Sequence, residues 1–580
     1  MKRQIKQQAK WIVIMAMVAM LALSGCGASA SNGIFDSIRE LFAEESGLKN
    51  EVPTISLYPA DANLSSGTVD GFLGEYFESL GFAVEVWDYS DDKTSAILAS
   101  GDLPDIMYVP VAYLDDMIEK GMLLNLEDYM DQMPHVQSED LSTSLNYVRE
   151  YRSGGTGELY CLPVSVGTSS PEGILFDSTD RNAVKLLWSV YEEIGAPEIT
   201  DFYSLIDVME EMLEERPVDE DGNSYYGIVL NNGFDTTYWQ CMLLWYRWQG
   251  YSETELPYLL ELDMVNCTIT SILNENSMYY QGLKWYNEAY RRGVLDPDSI
   301  SSDRATQKVK VDRNRTMVPG GGIPGWATRY LQYLIPGTSI YYNNSAPYGD
   351  STVVIAINAN TENVDVCIAF LDMLANPDAL MLVRSGPDGE IWETDEEGNA
   401  VFTERFAEYV RENGSYSGYE WESGEKYSLW NTAFIVRNGA TTTYGDGNGG
   451  YRSPNYVEWT DYQETTAVSD DFVAWRETTG YASWDEWLEA EDALVTENEY
   501  SYTSTFESTP NSAMQKTIDA IKDVVVNASW QMVYAQTDEE FESVWEQMVE
   551  DCESLGCDEI MEWRLEDIAN AQAIVASLEG

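Results

Sequence analysis

The chain has 580 residues, with 33 lysines and arginines against 99 aspartates and glutamates and a formal net charge of −66. So acidic an exterior repels phosphate backbones and anionic headgroups, which argues against nucleic acid, membrane surfaces and polyanionic ligands as partners. One histidine, His135 in DQMPHVQ, and no GxSxG turn argue against Ser/His or Cys/His catalysis and rule out a histidine-rich metal site.

Lys2, Arg3, Lys6 and Lys10 precede an apolar run from Trp11 to Leu23, the charged start and apolar middle of a secretion signal, and that run is short for a bilayer span. The sequence LSGC ending at Cys26 resembles the lipobox of bacterial lipoproteins, which implies removal of residues 1–25 and a diacylglyceryl group on Cys26. An ordinary secreted protein with a plain cysteine is the alternative. Cleavage there leaves 555 of the 580 residues, enough for two or more cores, and 29 of the 33 basic residues, since four stand in the signal. Residues 26–50 are taken as a tether, because 27–33 is made of Gly, Ala, Ser and Asn.

Thr54 to Tyr58 alternates like a strand, and Val69, Phe72, Leu73, Tyr76, Phe77 and Leu80 recur at helical spacing up to Gly81. A second strand follows at Phe82 to Trp87, a short helix around Ile97 and Leu98, the turn SGDLPD, a third strand at Ile106 to Val109, and a helix with Leu114, Met117 and Ile118 stopped by Gly121. Strand and helix in alternation predict a parallel α/β sheet, and ligands of such sheets collect at the carboxyl ends of strands, here near Tyr58, Pro59 and Tyr108 to Tyr113. Further on, helical patterns dominate: Met278 to Arg292, Val364 to Leu374, and a capping box of Thr537 and Glu540. Asn413 to Gly450 is rich in Gly, Asn, Tyr and Ser and predicts long loops.

Of seven cysteines, Cys161, Cys241, Cys267 and Cys367 are dispersed, as expected of buried thiols. Cys552 and Cys557 are the one close pair; a disulfide there requires a break in the helix at Gly556, and the spacing is no zinc signature.

GDLPDIMYV (Gly101 to Val109), KGMLLNLEDYM (Lys120 to Met130), GELYCLPVSV (Gly157 to Val166), YYQGLKWYNEAYRRGVLDPD (Tyr279 to Asp298) and the stretch from Phe370 to Glu404 follow one another in a particular order. In that order, with ESLGCDEIMEW at the end and the lipobox at the start, the chain resembles a family 1 extracellular solute-binding protein, the receptor of a carbohydrate ABC importer. The helix, glycine-rich turn and polar hairpin of Phe370 to Glu404 are similar to the large lipoprotein branch that binds oligosaccharides. The resemblance implies an α/β fold of two lobes, the type II periplasmic-binding-protein arrangement, closing on a ligand in the cleft between them. By that analogy residues 51–163 begin lobe 1, 164–314 begin lobe 2, RTMVPGG opens a return to lobe 1 over 315–351, and 352–580 is mainly lobe 2 with C-terminal helices. It further implies no catalysis and no cofactor, a neutral oligosaccharide ligand, ABC permease subunits as partners, a monomer, and a lipid-anchored place on the extracellular or periplasmic side of the membrane. A glycoside hydrolase and a surface glycan-binding protein without a transporter are the alternatives.

Sugars present apolar C–H faces and rings of hydroxyls, so their receptors need aromatic platforms with Asp, Asn, Glu or Arg around them. The chain has 18 tryptophans and 38 tyrosines, most of which must pack cores, as Trp285 in its helical pattern is expected to do. The candidates for ligand contact stand where a core is awkward: Trp326 beyond the glycines of GGGIPGW, Trp239 in NNGFDTTYWQC near Asn231, Asn232 and Asp235, and Tyr348 in NNSAPYGDS, with Tyr58 and Tyr108 from the strand ends. Asp105 and Asp446 are the acidic candidates; each is equally a turn residue. Some relatives in this branch bind calcium through an EF-hand-like loop, and Asp219, Asp221 and Asn223 alternate suitably. Gly227 and Ile228 stand where later acidic ligands belong, so the stretch is read as a turn before a strand and no metal is expected.

Overall fold

The computed structural model describes residues 52–59, 66–167, 182–219, 221–232, 242–320, 329–343, 346–394, 400–413, 418–421, 436, 444–445, 451–452 and 470–579. The expected signal, Cys26 and the expected tether lie outside these residues.

The first lobe grows from the alternation seen in the sequence. β1 (Thr54–Tyr58) buries Ile55, Leu57 and Tyr58 and runs parallel to β3 (Ala83–Val86) and β4 (Ile106–Pro110), with Ile55 opposite Val84 and Tyr58 opposite Met107. A short β2 (Gly67–Thr68) closes the edge antiparallel to β3. The helices Gly71–Ser79, Asp91–Ser100 and Val111–Glu119 alternate with these strands. The second begins where the Ser90 hydroxyl accepts the Lys93 amide at 3.2 Å and ends at Gly101, whose φ of 72° no β-carbon opposes.

The other half of this sheet comes from far away in the chain. β14 (Val353–Ile357) lies antiparallel to β4, with Ile355 opposite Tyr108, and β5 (Leu162–Pro163) pairs with its free edge, giving the order β2-β3-β1-β4-β14-β5. The helix Val364–Leu374 packs on the same core through Cys367, Phe370 and Leu371. His135 reaches this helix from its loop: its backbone N–H donates to Asp372 at 2.8 Å and its ring Nδ1 lies 2.7 Å from the same carboxylate.

The second lobe has its own core. β6 (Val184–Leu187) pairs antiparallel with β12 (Tyr330–Tyr333), and β7 (Tyr226–Ile228) pairs parallel with β11 (Thr316–Val318). A three-stranded antiparallel sheet follows from β8 (Tyr251–Ser252), β9 (Leu260–Asp263) and β10 (Thr268–Ser271). The helices Phe202–Glu215, Met278–Arg291, Ser512–Val533 and Asp538–Leu555 close over them. Trp285 is fully buried, as its helical spacing predicts, and donates its indole N–H to the Phe202 carbonyl at 2.6 Å. A small third core forms from β15 (Trp392–Thr394), β16 (Ala400–Phe402) and the helix Glu404–Asn413, around Ile391, Trp392, Phe406 and Tyr419. Two further hairpin strands are β17 (Tyr444–Gly445) and β18 (Tyr451–Arg452).

Two expected boundaries need correction. The chain does not begin a return to the first lobe at Arg315: Thr316 stands opposite Tyr226, and Met317 and Val318 are part of the second core. The chain returns only after β13 (Ile340–Tyr341), so residues 353–383 belong to the first lobe rather than to a mainly second-lobe tail. A TMV strand announces itself by composition, but its partner was ninety residues away and not legible.

The crossings meet. The first, leaving β5, and the second, entering β14, pair antiparallel at Gly167 and Ala346, and the Asp350 N–H donates to the Val164 carbonyl at 2.8 Å. Space here is tight. Gly349 has a φ of +81°, and a β-carbon on it meets the Val164 oxygen at 2.8 Å, while Ser165 takes a φ of 57° without being glycine. β13 also pairs parallel with β19 (Leu494–Val495), so a third stretch of chain runs beside the crossing.

Asp105 closes the GDLPD turn onto two elements. Its carboxylate accepts the Ser56 N–H and hydroxyl, both at 2.8 Å, and the Thr361 hydroxyl, while its own N–H donates to the Ser56 oxygen at 2.9 Å. Replacing it strands these donors at the junction of β1, β4 and the loop after β14. Asp105→Ala is expected to lower unfolding free energy by about 2–4 kcal/mol in urea melts.

Candidate functional site

The carboxyl ends of β1, β3 and β4 form one edge of the first lobe, the edge from which β5 leaves toward the second. Beyond β3 the chain carries Trp87, Asp88 and Tyr89 before the helix begins at Asp91. Trp87 is half-buried and the Lys93 ammonium stands 5.5 Å from its ring centre. A cavity of about 430 Å³ opens there, walled by Ser66, Glu85, Trp87, Asp88 and Lys93. An indole face bordered by carboxylates, a hydroxyl and an ammonium can stack on an apolar ring face and bracket hydroxyl groups. Tyr113, in the first turn of the helix after β4, is 43% exposed on the same edge.

Tyr58 and Tyr108, expected from the strand ends, are 1% exposed. The Tyr58 hydroxyl donates to the Ser90 carbonyl at 2.9 Å and lies 2.8 Å from the Thr94 hydroxyl, and its ring packs 5.8 Å from Tyr89. It thereby holds the loop that presents Trp87. Tyr108 sits wholly inside, where burial pushes its phenol well above the usual range. Tyr348 is also interior: its ring lies 5.3 Å from Tyr147 and 5.2 Å from Phe506, in the aromatic packing beside the crossings. Asp105 is occupied as described above. Trp239, Trp326 and Asp446 lie outside the described residues.

In the second lobe, the chain beyond β7 divides its two asparagines between different tasks. Asn231 is buried, its amide donating to Gln307 Oε1 at 2.6 Å while Gln307 donates to the Val229 carbonyl at 2.8 Å. Asn232 instead lines a cavity of about 480 Å³ with Ile300, Asn527, Trp530, Gln531 and Tyr534. The Tyr534 hydroxyl donates to the Pro297 carbonyl at 3.0 Å and accepts the Ile300 N–H at 3.3 Å, which fixes that wall. Three carboxamides beside an indole again suit a ligand rich in hydroxyls. Gly320 after β11 has a packing reason: a β-carbon on it falls 1.9 Å from the Val229 oxygen, so what comes close to this backbone is another backbone.

Trp87 follows the end of β3 as Tyr58 ends β1, so its signal in the sequence is the same strand-end position. Trp530 and Gln531 carried no signal, because they belong to a long helix whose pattern reads as packing.

Burial pushes the thiols of Cys161, Cys367 and Cys552 up to about 12, opposite to an activated nucleophile. Cys552 and Cys557 are buried free thiols, and the helix does break between them at Gly556, with φ 88°. Asp219 folds its own loop: its carboxylate accepts the Asp221 N–H at 3.0 Å, the Asn223 N–H at 2.7 Å and the Asn223 amide at 2.9 Å. Those bonds, led by Asn223, lower its pKa.

No protein-family model matches the sequence, and no curated protein matches it either. Solved structures do match in shape. An extracellular solute-binding protein from Bifidobacterium longum subsp. infantis aligns at a TM-score of 0.57 and 13% identity, covering 90% of this chain and 99% of that one. An S. pneumoniae ABC-transporter substrate-binding protein, FusA, in complex with kestose aligns at 0.54 and 16% identity with the same coverage. An HMO-binding, ABC-transporter-associated solute-binding protein from Bifidobacterium longum infantis ATCC 15697 aligns at 0.52 and 15%, again over 90% and 99%. The chain thus has the two-lobed α/β fold of extracellular solute-binding proteins.

A calcium ion at residues 219–223 has to displace three donors already aimed at Asp219. Chelator or millimolar calcium is therefore expected to leave the thermal midpoint unchanged; a calcium-dependent rise places a metal in this loop after all.

Proposed function

We propose that the chain is a receptor that captures a neutral oligosaccharide outside the cytoplasmic membrane and delivers it to the permease subunits of an ABC importer. The observation that carries this reading is the two-lobed fold, whose shape aligns over 90% of the chain with proteins described as solute- or substrate-binding components, one of them in complex with kestose. Closure of the lobes on the ligand is the mechanism. Sugar favours the closed state and no bond is broken.

In this reading Trp87 and Tyr113 offer platforms on the first lobe, and Asn232, Asn527 and Gln531 offer hydroxyl partners on the second. Trp239, Trp326 and Asp446 remain proposed ligand contacts on sequence grounds. Tyr58 serves indirectly by holding the Trp87 loop. The acidic exterior favours an uncharged ligand over an anionic one. A lipid on Cys26, with residues 26–50 as tether, keeps the loaded receptor beside its permease instead of losing it by diffusion, and the protein acts as a monomer.

Thermal-shift and calorimetric titration against neutral oligosaccharides are expected to find a stabilising ligand. Trp87→Ala, Trp239→Ala or Trp326→Ala then weakens it about tenfold, close to 1.4 kcal/mol. Binding of amino acids or peptides with no response to any sugar refutes the ligand class, and new reducing ends after long incubation point to a hydrolase. Separately, Cys26→Ser is expected to move the expressed protein from the membrane fraction to the soluble one; retention in the membrane rejects the anchor.

A further inference from the structure

The segment between β19 and the helix Ser512–Val533 is fastened to the second lobe at both ends. At its start the Asn498 amide donates to the Met264 carbonyl at 2.6 Å, and Gln572 donates to the Glu499 carbonyl at 3.2 Å. At its end a buried guanidinium gathers three carboxylates: Arg564 donates twice to Glu255 at 2.6 and 2.9 Å, once to Glu507, and once to Asp567 at 3.1 Å. The Ser508 N–H donates to the same Asp567 at 2.8 Å. None of these four charged side chains is more than 10% exposed. Withdrawing Glu507 from this cluster leaves charge uncompensated in a dry place, so the end is firmly held.

Between the anchors the chain reaches across to the other lobe. Tyr502 and Phe506 pack on the first-lobe core. The Phe506 ring lies 5.5 Å from Tyr147, 5.4 Å from Tyr151 and 5.2 Å from Tyr348, and Tyr502 stands 6.1 Å from Tyr348; all four contacts are edge-on. Tyr147 and Tyr151 belong to the first-lobe helix Ser142–Tyr151, so the socket is on one lobe and the rope on the other. Behind the segment lies a cavity of about 390 Å³, bordered on the second-lobe side by Thr254, Leu262 and Tyr341 and on the segment side by Ser501 and Thr505.

We propose that residues 499–507 form a clasp, a loop rooted in the second lobe whose two rings seat in an aromatic socket on the first, and that this clasp limits how far the lobes open. The crossings at Gly167 and Ala346 pair with each other and make one seam, and the chain passes once more from the first core at Val436 to the second at Phe472. A non-covalent attachment beside them removes freedom that the seam alone leaves. The cavity gives the loop room to flex, so modest rotations keep the rings seated while wider ones must pull them out. Aromatic packing of this kind resists separation without forbidding it. The open-to-closed balance therefore depends on Tyr502 and Phe506 although neither belongs to the proposed sugar contacts.

The effect on affinity rests on the lobe-closure reading given above; the opening range does not, and the two are measured apart. Spin labels on exposed Glu78→Cys and Glu211→Cys, one on each lobe, report interlobe distances in the ligand-free protein. In a Tyr502→Ala, Phe506→Ala background the distance distribution is expected to broaden, and the affinity for whichever sugar binds the parent to fall about three- to tenfold by population shift. Phe506→Leu, which keeps an apolar plug, serves if the double variant loses its cooperative melt, and is expected to broaden the distribution to a smaller degree. An unchanged distribution in a variant that still melts cooperatively overturns the clasp, whatever the sugar screen returns. A broadened distribution without any sugar response upholds the clasp and rejects the ligand instead.

Discussion

The pairing of Gly167 with Ala346 is the constraint about which the molecule is arranged. One strand of that pair has just left the first lobe and the other is about to re-enter it. Because β14 lies between β4 and β5 in the finished sheet, the first lobe is incomplete until the chain has traversed most of the second. Such long-range closure is slow to form and tightly specified once formed. Gly349 shows how tightly: its left-handed backbone lies against the Val164 carbonyl with no room for a side chain.

A chain so rich in aromatic residues spends many of them internally. Trp188, Trp285, Trp475 and Trp484 are buried, and the indoles of Trp285 and Trp475 donate to backbone carbonyls at Phe202 and Gln332. What distinguishes Trp87 is position at the end of a parallel strand, half-open and set among polar groups, where an aromatic face is left for something other than the core. The same logic separates the neighbours Asn231 and Asn232, one closed into a network with Gln307 and the other turned to a cavity. The acidic excess of the chain is handled similarly. Most of it meets solvent, while Glu255, Glu507 and Asp567 are drawn inward around one arginine at the clasp.

The first sheet was legible because each of its parallel strands is followed by a helix with a clear stop, so local periodicity and glycine placement were sufficient. The helix Val364–Leu374 was legible from the same helical periodicity. The return to the first lobe was misplaced because Thr316–Val318 and Val353–Ile357 are equally convincing strands, and only their partners, β7 in one case and β4 with β5 in the other, decide which lobe each joins. Tyr58, Tyr108 and Tyr348 are buried, because the depth of a ring depends on what packs over it and not on its place along a strand.

By itself the sequence determined the excess of acidic residues, the alternation that makes an open α/β sheet, and the caps that end its helices, all of which depend on composition or on neighbours within a few residues. Only the tertiary structure decided which strand completes which lobe, which aromatic rings are buried, and that Tyr502 and Phe506 reach across to the opposite lobe. Those outcomes are set by contacts between residues tens to hundreds of positions apart, where one strand or ring has many chemically equivalent partners and the packed whole selects among them.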